Sequence, residues 1–315
     1  MLRPRLVSAR VMPVETAKSL EVAAEEAELD QHPAVEEEEP TRRPVVELLG
    51  NQPIVRSLCL RSYVIGNTWQ ARSMPTEQVH SEGVQVVILG NFNPAIFSPG
   101  WLLAKELIRQ DDYDLAAPQV IVPQLSIFTT GWLRCEATPQ RLVLGTEEPL
   151  EFERVRDVAT SILTLLSQTP INMLGINRYF HAAVPERKWH AIGDYLTPKA
   201  IWERALVLPG MQDITIRSVR QDDFAGQINV TVQPSALVQP GVFIFQNDHF
   251  LLKKVQRQPS SRAEFFSPEI IAELQAPTPT ADCIPLAKAI LGLYWQQSFE
   301  RADNLRDLVL SIGDD

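Results

Sequence analysis

Asn177, Arg178, Tyr179, His181, Trp189, His190 and Asp194 form the densest group of chemically able side chains in this 315-residue sequence. If residues 186–195 are helical, His190 and Asp194 fall one turn apart, where a carboxylate can orient an imidazole for proton transfer or behind a metal ion. Asn247-Asp248-His249 follows a strongly apolar run. On a strand Asn247 and His249 share one face, with Asp248 opposite. Were His249 to meet His190 and Asp194 in space, acid–base or metal chemistry would become available. The spacing is not HExxH, and there is no Gly-x-Ser-x-Gly elbow, glycine-rich phosphate loop or Walker lysine. The plainer alternative is a buried polar network that locks strand to helix, with Trp189 in the core and His249 at a solvated strand end. His190, Asp194 and His249 are therefore the catalytic candidates. Asn177, Arg178, Tyr179, His181 and Trp189 are read as a binding group, and neither a cofactor nor a metal is expected.

The elements that must position these residues follow from periodicity and turn chemistry. Residues 54–65 alternate as a strand, 66–83 read as a polar loop, and 84–89 suit a central strand. Asn91-Phe92-Asn93-Pro94 is a turn, after which Ser98 caps a helix with Pro99 at its first position, running to about Gln110. Short strands are expected over 120–122, 125–128, 131–135 and 141–144. Pro149 opens a helix whose apolar face is Phe152, Val155, Ala159, Ile162, Leu163 and Leu166. The second half is expected to repeat this order: a strand over 173–180, a helix over 186–195, and strands over 214–219, 227–233 and 242–252. A loop follows over 259–280, then one helix of roughly 43 Å over 284–312. Residues 86–107 and 171–202 look like twins, since each carries an apolar run into Leu-Gly and then a proline before a helix.

The expected class is α+β: two related strand–helix–antiparallel-meander–helix halves, 45–170 and 171–315, forming a curved sheet with helices on one face. The halves could make one continuous saddle, shaped like the TATA-box-binding protein, or two lobes side by side. Residues 1–44 read as a disordered acidic leader, or as an acidic docking tail. Residues 1–40 carry four basic and ten acidic side chains, or -6, which leaves -4 of the total -10 for the remainder. That remainder has no basic cluster of nucleic-acid type. No apolar run is long enough to span a membrane, and Cys59, Cys135 and Cys283 are odd in number and far apart, as suits a reducing cytoplasm.

Leu174-Gly175-Ile176-Asn177-Arg178-Tyr179 resembles the Leu-Gly-x-Arg-Tyr-x-Asn strand of a sporadically distributed, uncharacterised bacterial family. Members are similar in length and element order, with a terminal helix carrying a late phenylalanine, here Phe299. In this chain Asn177 precedes Arg178 instead of following the tyrosine. The resemblance implies an architecture and no activity.

With no catalytic signature, the leading expectation is a non-enzymatic cytoplasmic binding protein. It would dock another protein, or a second copy, through its sheet face or its terminal helix. A nucleic-acid-binding saddle is the less favoured alternative and needs Arg56, Arg61, Arg134, Arg178 and Arg217 on one surface. A hydrolase-like enzyme using His181, His190 and His249 is the third.

Overall fold

Capping side chains and prolines divide the chain into its elements. β1 (Gln78–Gly90) begins inside the segment expected to be a loop. It ends where Asn93 Oδ1 accepts from the Ala95 amide at 3.2 Å and opens a 3-10 turn (Pro94–Ile96). Ser98 Oγ accepts from the Trp101 amide at 3.1 Å and caps α1 (Pro99–Ala104). The helix expected to reach Gln110 stops there, because Glu106 takes a left-handed φ of 57° and the Leu107 amide reaches back to the Leu102 carbonyl. That break turns Ile108 into the core, and the chain restarts as α2 (Gln110–Asp114). Four strands follow: β2 (Ala117–Val122), β3 (Leu125–Thr129), β4 (Arg134–Ala137) and β5 (Arg141–Thr146). β4 starts three residues later than expected, because Thr130 Oγ1 accepts from the Leu133 amide and closes residues 130–133 into a turn. α3 (Phe152–Leu165) buries Phe152, Val155, Ala159, Ile162 and Leu163 as its spacing predicts.

β6 (Ile171–Ala183) is buried along nearly its whole length. α4 (Glu186–Leu196) follows, then a 3-10 segment (Lys199–Arg204) and three strands, β7 (Ile214–Val219), β8 (Phe224–Pro234) and β9 (Gly241–Lys254). Gly226 sits at φ 141° beneath β9, where an added Cβ would lie 2.2 Å from the His249 carbonyl oxygen. The chain closes on α5 (Thr280–Leu293) and α6 (Trp295–Leu310). The computed structural model describes residues 78–220, 222–254 and 280–314. The expected leader, the strand over 54–65, most of the loop over 259–280, and Arg56, Cys59, Arg61 and Trp69 lie outside the described residues.

The nine strands form one curved antiparallel sheet in the order β2-β3-β4-β5-β1-β6-β9-β8-β7, so the α+β expectation holds with the continuous sheet. β1 and β6 pair along their length at its middle, and each is also paired by the last strand of the meander that follows it. The two Leu-Gly pairs do not occupy equivalent places: Leu89-Gly90 ends β1, whereas Leu174-Gly175 lies early in β6. Register gives the two faces. Val84, Val86, Ile88, Leu174, Ile176, Phe180, Ile244 and Phe250 point to the side where the helices form the core.

The single 43 Å terminal helix expected from sequence is two helices, broken at Tyr294. α5 carries the apolar Ile284, Ala287, Ile290 and Leu291 into the larger core cluster. α6 adds Ala302, Val309 and Leu310 to the second core cluster and also seats on the sheet through polar groups. The Gln246 side-chain amide donates to the Ser298 carbonyl at 3.1 Å, and Arg301 donates to Asp248 at 2.7 Å. Asp248 and Arg220 form a fully buried ion pair, Asp222 takes the other end of the Arg220 guanidinium, and the Phe250 ring lies 3.4 Å beneath it. α6 is thus part of the core instead of a projecting arm. Replacing Asp248 by leucine strands Arg220 without its buried carboxylate and is expected to cost roughly 3–5 kcal/mol. Ending the chain at Ser298 is expected to abolish the cooperative transition. Urea unfolding of both variants checks this, and a truncated chain with an undiminished midpoint would refute it.

Candidate functional site

Alternation along β6 splits the group that the sequence holds together. Asn177, Tyr179 and His181 lie on the face away from the helices, and Arg178 lies on the helix side. Arg178 is buried among the rings of Phe152, Phe180 and Phe299, at 4.5, 4.9 and 4.3 Å. It donates through Nη2 to Glu82 at 2.8 Å and has Asp303 at 3.7 Å. Burial lowers its pKa, and the two carboxylates oppose that shift. This is a guanidinium clamped between sheet and helices, with no route to a phosphate chain.

On the opposite face, register aligns Gln85, Asn177, Asn247 and Asn229 across four adjacent strands, about 4.8 Å apart. Asn177 Oδ1 is buried and has no hydrogen-bond partner among the described residues. Beside this row Tyr179, Phe243 and Phe245 form a small buried cluster, and the Tyr179 ring occupies the space over Gly83. The arginines on this face have local hydrogen-bonding partners. Arg134 and Arg141 both reach Glu136, at 3.7 and 2.5 Å, and Arg217 donates to Asn229 Oδ1 at 3.4 Å. Of the arginines a nucleic-acid saddle would need, Arg134 and Arg217 share this face and Arg178 is on the other.

The hydrolytic grouping does not assemble. His190 is exposed on α4 with its ring edge-on to Trp189 at 4.9 Å. Asp194 pairs with Lys199 and not with His190. His249 is register partner of Gly175 and Gln227 on the face away from the helices, so the sheet separates it from α4. His181 lies on that face but is paired with Phe243, six residues along β6 from Gly175. Its Nδ1 sits 2.9 Å from Ser235 Oγ. That oxygen already accepts from the Leu237 and Val238 amides, so the serine hydroxyl donates to Nδ1 and the buried pair fixes a turn. Cys135 and Cys283 are buried, and burial raises both thiol pKa values. Among the described residues no three His, Cys, Asp or Glu side chains converge on a metal-sized site. No described helix is long and apolar enough to cross a membrane.

Two features of the structure are not among the residues that sequence spacing singles out. One is the polar strip of Gln246, Asp248 and Arg220, legible in retrospect because Gln246 and Asp248 are in phase with the buried Ile244 and Phe250. The other is an apolar ledge between α4 and β7. Ile201, Trp202, Leu206, Val207 and Leu208 are exposed there, the last two at 93 % and Trp202 at 51 %. Leu208 is held at φ 50°, immediately before Pro209. Glu203 and Arg204 stand exposed within the same ledge.

Desolvation lowers the pKa of His181 to about 4, with His80 adding to the shift. Desolvation also lowers His249 to about 4, helped by Arg220 and Arg217. Both rings are neutral in the folded protein at pH 7. The unfolded chain, with histidines near pH 6.5, binds more protons between about pH 4 and 6.5. Stability is therefore expected to be full above that window and to fall on acidification through it, by about 1.4 kcal/mol per pH unit for each histidine. His181→Gln should flatten part of the slope in urea titrations at pH 7, 6 and 5, and a flat wild-type profile would contradict the assignment.

No family model matches the chain, and the search of curated proteins returned no relative.

Proposed function

We propose that this is a non-enzymatic, cytoplasmic protein-binding module. The observation that carries the reading is the ledge: five large apolar side chains exposed within eight residues of the segment that leads from α4 to β7. Contiguous exposed apolar surface of this kind is costly in water unless a partner covers it. Supporting it, among the described residues His249 lies across the sheet from α4, Asp194 pairs with Lys199, and the buried Ser235–His181 pair is tied into a turn by the Leu237 and Val238 amides. The terminal helix is a poor candidate for the docking element, since Arg301, Ala302 and Val309 are committed to the core strip. The polar row on the sheet face is uncharged overall, so a protein suits it better than a phosphate chain.

A photo-crosslinking amino acid placed at Trp202 of the full-length protein tests this inside its own cells. A discrete adduct is expected from Trp202 and none from Leu150, which is 96 % exposed but lies in the other half of the chain. Equal yields at the two positions, or no adduct at Trp202, would end the proposal.

A further inference from the structure

Resting on that reading, we infer that the partner seated on the ledge is a second copy of this chain, joined through an antiparallel β7–β7 pairing that continues the sheet. The argument begins with the two sheet edges. β2 carries Pro118 and a register shift between Pro118 and Val120, both of which spoil an edge for further pairing. β7 runs Ile-Thr-Ile-Arg-Ser-Val without proline, and its register with β8 is unbroken from Ile214 to Val219. Among the described residues it is paired on one side only. Among the described residues β2 is the poorer template for further pairing and β7 the better one.

Symmetry then fixes the register. A two-fold axis normal to the sheet keeps each face on its own side, so a residue can face only positions of the same parity. Centring on Arg217 would place two guanidinium groups opposite each other. Centring on Ile216, which is 58 % exposed on the helix side, pairs it with its own copy and sets Thr215 against Arg217 of the other chain. The same axis keeps Ile214 and Ile216 of both chains on the helix side of the joint. Met211 and Ile214 pack there with the α4 cluster, and the ledge leads directly into them. The exposed Glu203 and Arg204 are adjacent and opposite in sign, so an isologous contact can set each against the other.

Sedimentation velocity of the full-length protein at micromolar concentration tests the inference, with Ile216→Lys, the double variant Trp202→Ser/Leu208→Asp, and Ile216→Cys. The wild type is expected at twice the 35.4 kDa chain mass. The first two variants should run as folded monomers, with wild-type circular dichroism and association at least tenfold weaker. Ile216→Cys should give a covalent dimer under mild oxidation that the wild type does not. A wild type that stays monomeric overturns the inference. So does a dimer that survives Ile216→Lys and yields no Ile216→Cys crosslink. If the purified protein is monomeric while Trp202 still captures another protein in cells, only the second copy is excluded and the binding reading stands.

Discussion

The fold depends on burying Asp248 against Arg220 and Arg301. A carboxylate that is 0 % exposed, in the middle of an antiparallel sheet, is tolerable only if its charge is met in full and its oxygens are occupied. Arg220, from the β7–β8 turn, takes one oxygen and Arg301, from α6, takes the other. Each partner is fixed in turn, Arg220 by Asp222 and the Phe250 ring, Arg301 by the position of α6. One residue of β9 therefore specifies where a turn on one side and the terminal helix on the other must sit. Apolar packing alone would not set that axial position so narrowly.

The same constraint accounts for the break at Tyr294. α5 is apolar enough to lie in the main core, while α6 presents Ser298, Arg301 and Ala302 to a strip of β6 and β9 that offers Arg178, Gln246 and Asp248. One straight helix would have to keep a single stripe facing two surfaces of different chemistry. Breaking the helix at Tyr294 lets each segment meet its own surface. Trp295 then locks the joint, donating to Glu153 of α3 at 3.0 Å while its ring tilts against Phe299 at 4.8 Å.

Much of the architecture was readable before any coordinates because it rests on local chemistry. The Ser98 cap, the apolar face of α3, the alternation of β8 and the bounds of β7 follow from spacing and turn residues alone. What was misjudged had non-local causes. The end of α1 depends on Leu107 and Ile108 finding the core, and the start of β4 on Thr130 closing a turn. The histidine grouping failed for a reason contained in the sequence. Residues 177, 179 and 181 share a parity and 178 does not, so Arg178 had to part from its neighbours once β6 was taken as a strand. Whether His249 would meet α4 was a question of which side of the sheet the helix lay on, and single-strand periodicity carries no such information.

The segments that follow β1 and β6 differ in how they use their apolar side chains. After β1, Phe97 and Leu102 are fully buried, and the hydroxyl of Ser126 on β3 donates to the Phe97 carbonyl. The short helices there cover their end of the sheet. After β6, the segment following α4 ends in Ile201, Trp202 and Leu206 facing water, and the strand it leads to is β7 at the sheet edge. The first segment commits Phe97 and Leu102 to the core, although Leu115 beyond them is exposed. The contrast is one of burial: apolar side chains close the core after β1, and side chains of the same kind stay at the surface after β6.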